Sequence, residues 1–401
     1  MLQQGVYWGE GQRAPASFGL LFFVIKEGAS TKEVGSAIHD LWTKLEEFQS
    51  QVNLGIPERN IPSPELALLI GYGKAIFALN GVKKAEPDGL APKNQFRTLE
   101  PRVGNTILRG AGLGYEKTAA RNPADCGVVV QFTAKTQTAV ERGIVEAWRI
   151  CTREESVLKA LNINGSYMGF QPKDGRSWIG FHDGISNLRH GEQRRQTIEV
   201  KQTRPQDAWT KGGCYMVFMR MPVDLEAWET ISLAEQEALV GRDKPTGCPV
   251  TGLINSDGDY SPISACPPRP PEFFEDQSYD PFREPPMAVD DMIKLSHVQR
   301  ANHHSFDFEN PDSLRIYRQG YEFSEGVVEG RPRVGLNFVS FVDTPARVMN
   351  LLTRKDWLGG VNFGGPDDGN SPVFTHVAAS GVWFAPPIRK GDSYPGVQIF
   401  I

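Results

Sequence analysis

Compact apolar runs and long amphipathic stretches alternate twice along this chain, and that rhythm limits the folds open to it. In the first half, "SFGLLFFVIK" is dense in aromatic and branched residues, the pattern of a buried strand. Beyond the capping residues Ser30 and Thr31, apolar side chains recur at Val34, Ile38, Leu41, Trp42, Leu45 and Phe48, which is the spacing of an amphipathic helix. "LALLIGYGKAIFAL" reads as a strand ending at a Gly-x-Gly turn, "DCGVVVQFTA" as a strand and "KTQTAVERGIVEAWRICTR" as a helix. The second half repeats the pattern: strand in "GGCYMVFMRMPVD", helix in "LEAWETISLAEQEALVG", strand in "RVGLNFVSFVD", helix in "PARVMNLLTRKDWL", strand in "SGVWFAPP". The fold class expected is α+β, with helices packed on antiparallel sheets, most simply as two ferredoxin-like units. A polar run near residue 200 divides them, giving domains 1–200 and 201–401.

The bulk numbers remove several classes of function. A chain of 401 residues suits two domains of about 200 residues each. A net charge of -5, with scattered basic residues, provides no surface for nucleic acid. "FGLLFFVI" is far too short to span a bilayer, so no membrane association is expected. The opening "MLQQGVYWGEGQRAP" has neither a basic segment before an apolar run nor a twin arginine, so the expected location is cytoplasmic. Cys126, Cys151, Cys214, Cys248 and Cys266 are widely spaced without a CxxC pair, which favours free thiols. "CPPRPPEFFEDQSYDPFREPP" is too rich in proline for regular structure and reads as a long surface loop. The final "YPGVQIFI" is strand-like, an edge on which a homo-oligomer can form.

Residues able to carry chemistry are few. "IGFHDGISN" (179–187) sets His182 beside Asp183 among glycines. Asp-Gly is strong turn chemistry, so a plain turn competes with any catalytic role for Asp183. In an extended chain the two side chains would face opposite sides, so only one would reach a shared pocket. His297, His303 and His304 cluster, but their spacing is not that of an HExxH zinc hydrolase. Arg315 and Arg318 follow; each is either a solvated charge or a permanent cation able to hold oxyanion character.

Taken together, several ordered segments resemble the dye-decolourising peroxidase family. Gly180 to Gly184 matches its GxxDG motif, extended to Asn187. The run from Gly212 to Val250, with Gln236, Glu237, Gly241, Arg242, Asp243, Lys244 and Gly247, is similar to the family's sequence after its domain boundary. "SHVQRAN" resembles the stretch bearing the proximal histidine, here His297; "YRQGYEF" resembles the segment whose arginine lies over the haem, here Arg318; "GLNFVSF" resembles the distal apolar segment, here Leu336 and Phe338. There are departures. Gln299 stands where an arginine is frequent, His303 and His304 replace a Pro-Arg pair, and Leu188 replaces a proline. Arg300 is then the remaining candidate for a haem propionate.

The resemblance implies one haem b per chain, with His297 as the iron ligand and Arg300, Ile185, Asn187, Leu336 and Phe338 around the cofactor. It implies hydrogen peroxide as oxidant and aromatic dyes or phenols as one-electron donors. Asp183 would accept a proton from peroxide and return it, as general base and then general acid, while Arg318 holds the developing negative charge. Asp356 is a candidate carboxylate behind His297. Bulky dyes would pass electrons through surface Tyr or Trp, with oxidation fastest at acidic pH. One rival is a haem-handling protein, deferrochelatase-like or haem-storing, with little turnover. Others are a haem-free α+β protein in which GxxDG is only a turn, and a zinc hydrolase built on His303 and His304.

Overall fold

The computed structural model describes residues 1–10, 12–50, 66–91, 126–188, 190–201, 204–256, 259–264, 288–294, 296–301, 315–352, 374–375 and 378–401. In the first half these form β1 (Ser17–Ile25), α1 (Thr31–Gln49), β2 (Ala67–Tyr72), α2 (Lys74–Phe77), β3 (Val128–Ala134), α3 (Gln137–Arg153), α4 (Glu155–Ala160) and β4 (Leu161–Phe170). Then come α5 (Glu192–Ile198), β5 (Cys214–Val223), α6 (Leu225–Trp228), α7 (Leu233–Val240), β6 (Val250–Ser256) and β7 (Asp259–Ser264). The last are α8 (Asp291–Lys294), α9 (His297–Ala301), β8 (Tyr317–Val328), β9 (Arg331–Val342), α10 (Ala346–Leu352) and β10 (Ala379–Ala385).

The result is a mixed α/β fold around a closed antiparallel barrel of eight strands, ordered β1-β3-β2-β10-β5-β9-β8-β4, with β6 and β7 as a separate hairpin. Long ladders run within β4-β1-β3-β2 and within β10-β5-β9-β8. The two sets meet through single register pairs, Tyr72 with Phe384 and Phe170 with Glu322. Alternation along the strands sorts the core. Phe18, Phe22, Phe218, Tyr321, Phe341 and Trp383 belong to a cluster drawn from all eight strands, which fills the barrel. Leu21, Phe23, Val130 and Phe132 face the other way, against Val34, Ile38, Leu41 and Val140 of the flanking helices α1 and α3. Ser30 starts α1 with a capping box: its hydroxyl accepts from Glu33 N, and Glu33 Oε2 accepts from Ser30 N at 2.8 Å.

Four expectations change. The helix expected over "LEAWETISLAEQEALVG" is two, α6 and α7, because Ser232 starts a new capping box with Glu235. The C-terminal run is not an edge strand: after Gly396 (φ 86°), Val397–Ile399 form a short 3-10 helix whose Ile399 is buried in the core under α1. It therefore gives no free strand edge for oligomer formation. Cys126, Cys151 and Cys214 are free thiols, but Cys248 is disulfide-bonded, against the expectation of thiols throughout. The strand β4 was not apparent, because "LNINGSYMGF" lacks a clear apolar alternation; it is specified by its pairing along β1. The proline-rich segment 266–286 lies outside the described residues. Among the described residues no helix is long and apolar enough to cross a membrane.

Candidate active site

The segment after β4 is folded by its glycines rather than extended. Gly180 (φ 86°) and Gly184 (φ 79°) take left-handed conformations that other residues reach only with strain. Arg176 holds the loop, donating to Gly180 O and Lys244 O at 2.7 Å and to Pro245 O at 2.9 Å. Asp183 sits at the turn and its Oδ1 accepts from Gly184 N at 2.6 Å. The turn reading of this motif is thus correct as local geometry, but it leaves the rest of the carboxylate to face β8.

On β8 the residues Arg318, Gly320 and Glu322 share one face. A side chain at Gly320 would run into Asp183 Oδ2, so the glycine makes the space in which that carboxylate sits. Arg318 Nη2 lies 3.7 Å from Asp183 Oδ1, an ion pair without hydrogen-bond contact. Glu322 is 5% exposed. Burial, and then the charge of Asp183, push its carboxyl up to about 8.

These residues border a cavity of about 250 Å³. Ile185, Met219, Met221, Leu336, Phe338 and Val348 give it apolar walls, and His297, at the start of α9, reaches into it. Burial, followed by the charges of Arg318 and Arg242, brings the His297 imidazole down to about 3, so its ring is a neutral nitrogen donor at physiological pH. Arg242, 4% exposed, also lines the cavity, donating to Gly247 O at 2.6 Å and Ser186 Oγ at 2.5 Å. Burial and then Arg318 lower its guanidinium to about 9.

Asp183, Ile185, His297, Arg318, Leu336 and Phe338 all line this one cavity. Asn187 does not border it; its carboxamide pairs with the main chain of Arg318 instead. His182 borders the same cavity as Asp183, contrary to the expectation that the two face opposite sides, because the chain turns here. Gln299 is buried, and its Oε1 accepts from Ala288 N at 3.4 Å, which ties α9 to the chain ahead of α8. The side chain of Arg300, and His303, His304 and Asp356, lie outside the described residues. Among the described residues no cluster of His, Cys, Asp and Glu has the makings of a zinc site. Trp178, Arg242 and Glu322 also line the cavity, beyond the site residues expected from the sequence. For Glu322 a signal existed, the two-residue strand period that carries Arg318 through Gly320 to it.

The family model described as Dyp-type peroxidase, C-terminal, matches residues 174–390. The chain belongs to the DyP-type peroxidase family. Deferrochelatase of Escherichia coli O6:K15:H31 is 29% identical over 166 residues, covering 41% of this chain and 33% of that protein. Deferrochelatase of Shigella flexneri is 28% identical, over 41% of this chain and 34% of its own length. The match thus spans about a third of these curated relatives. The DyP-type peroxidase of Streptomyces coelicolor shares the fold over 100% of this chain and 96% of its own, with a TM-score of 0.69 and 19% identity. The DyP-type peroxidase of Cellulomonas bogoriensis gives 0.67 over 99% and 97% at 19% identity. The GxxDG loop, β8, α9 and the cavity all fall within the span matched to the DyP family.

Proposed function

We propose that this DyP-family protein is a haem peroxidase that reduces hydrogen peroxide and oxidises aromatic dyes, phenols and related one-electron donors. The observation that carries the reading is the pairing of Asp183 with Arg318 at 3.7 Å on a cavity that also receives the neutral imidazole of His297. The donor set fits haem b: a neutral ring nitrogen for iron, apolar walls for the macrocycle, and the guanidiniums of Arg242 and Arg315 as cations for carboxylates. Ile185, Leu336 and Phe338 would contact the ring, and Arg300 remains a proposed propionate partner.

Haem, when bound, supplies the redox centre for peroxide reduction and donor oxidation. The chain's own groups supply the rest. Asp183 takes a proton from peroxide at Oδ2, the oxygen not engaged by Gly184 N, and gives it back to the departing oxygen. Arg318 faces the negative charge that develops as the O–O bond lengthens. Leu336 and Phe338 keep bulk water from the site. Bulky donors would deliver electrons from the surface; Trp178, 37% exposed and lining the cavity, is a place where that can happen.

The repeated strand order supports reading the barrel as two ferredoxin-like units, dividing near residue 200 as 1–200 and 201–401, since β4-β1-β3-β2 and β10-β5-β9-β8 have the same order and join by one register pair at each seam. A second reading has an observation of its own: the relatives matched by sequence are deferrochelatases. Haem-loaded protein mixed with peroxide and an anthraquinone dye separates the two. Sustained turnover supports the peroxidase; a Soret band with negligible turnover supports haem handling.

A further inference from the structure

The cavity is lined by two acids, Asp183 from the GxxDG loop and Glu322 from β8. Arg318, Gly320 and Glu322 follow one another on one face of β8, about 7 Å apart. The Asp183 carboxylate fills the gap above Gly320. It therefore lies between a cation, Arg318 Nη2 at 3.7 Å, and a carboxyl, Glu322, that feels its charge. Glu322 is buried and lines the cavity. The other charged and titratable groups on the walls are His182 from the GxxDG loop, Arg242 beyond α7, His297 on α9, and Arg315 just before β8. Burial and the charge of Asp183 both oppose ionisation of Glu322, so the buried carboxyl keeps the proton.

We propose that Glu322 is the proton reservoir of Asp183, a positioning residue that acts on the peroxide reaction through its neighbour. The inference rests on the peroxidase reading above. Reducing one hydrogen peroxide to two waters takes up two electrons, from the organic donors, and two protons. Each of the two protons leaves Glu322 in turn: its O–H bond breaks as a proton passes, through solvent in the cavity, to form an O–H bond on the Asp183 carboxylate. Asp183 then passes that proton to a peroxide-derived oxygen and is a carboxylate again. Glu322, left charged while buried, regains a proton from solvent through the cavity. Burial and the charge of Asp183 place the loss of this store at about pH 8.

The test pairs infrared spectroscopy with kinetics on the wild type, Glu322→Gln, Glu322→Asp and Asp183→Asn. A protonated-carboxyl C=O stretch should be present at neutral pH, vanish on titration through about pH 8, and be missing from Glu322→Gln. In Asp183→Asn its midpoint should move down, because the repelling charge is gone. Steady-state turnover with peroxide and an organic donor should fall across the same pH range in the wild type and in Glu322→Asp. In Glu322→Gln that limb should be absent and the neutral-pH rate lower by about tenfold. A Glu322→Gln profile superimposable on wild type, or a midpoint unmoved in Asp183→Asn, overturns the proposal. If Glu322→Gln does not fold or load haem, the Asp183→Asn midpoint decides. Wild-type protein that binds haem but does not react with peroxide overturns the peroxidase reading instead, and the infrared titration still reads the Glu322–Asp183 coupling separately.

Discussion

Asn187 forms a peptide-like pair with the main chain of Arg318: its Nδ2 donates to Arg318 O at 2.6 Å, and Arg318 N donates to its Oδ1 at 3.2 Å. The reason lies in the barrel seam. β4 joins β8 through Phe170 and Glu322, so at Arg318 that edge of β8 is continued by carboxamides, Gln171 on Gly320 O at 3.2 Å and Asn187 on Arg318. One side chain thereby sets the spacing between Asp183 and Arg318. Asn187→Ala should cost about 1–3 kcal/mol of stability, because it strands two main-chain groups. It should also slow the reaction with peroxide by about tenfold or more through misplacement of the pair. Asn187→Asp, which keeps the acceptor, should lose less of both; thermal unfolding and stopped-flow mixing measure the two effects.

Gly320 is the second control on that spacing. In Gly320→Ala the new methyl would occupy the place of Asp183 Oδ2. The carboxylate must swing away from Arg318. The expected outcome is a peroxide step as slow as that of Asp183→Asn, with haem content and Soret position unchanged. A rate within about twofold of wild type would mean that the loop yields without cost to the chemistry.

His182 and Asp183 are neighbours on one cavity, and kinetics should part them. Asp183→Asn and Arg318→Leu should each slow the peroxide step by about a hundredfold or more while haem loading stays normal. His182→Ala should stay within about threefold. Burial, then Arg176, lowers the His182 imidazole, so it is mostly neutral at physiological pH and contributes little charge to the site. His297→Ala should lose the Soret band or shift it, as seen in a single absorbance scan. Equal loss in the first three variants would refute the assignment of Asp183.

Much of this site was legible because its residues sit in short, ordered motifs. GxxDG marks a loop whose glycines are needed for positive φ, and Arg318 and His297 were reached through the segments around them. What escaped was whatever depends on partners distant in sequence. Asn187 reads as a cavity residue until β8 is placed beside it. Glu322 reads as a solvated acid until the seam buries it at Phe170. β4 is specified by β1 rather than by its own composition. The strand–helix rhythm gave the layers, but eight-stranded closure depends on two single-pair seams that no local pattern announces.

The burial of Glu322 should also be visible in stability. Its carboxyl stands at about 8 in the folded protein against 4.5 for an ordinary glutamate, so between those values the folded state holds a proton that the unfolded chain has lost. Stability from this group is therefore complete below about pH 4.5 and drains away as pH rises through about 8. Glu322→Gln cannot ionise, and its unfolding free energy should decline less than that of wild type between about pH 4.5 and 8, by up to a few kcal/mol over that range. Chemical denaturation at a series of pH values, on haem-free and haem-loaded protein, reads the difference. Parallel curves for the two proteins would show that Glu322 is charged in the folded state throughout, and that the acid beside Asp183 is held by solvent rather than by the wall of the barrel.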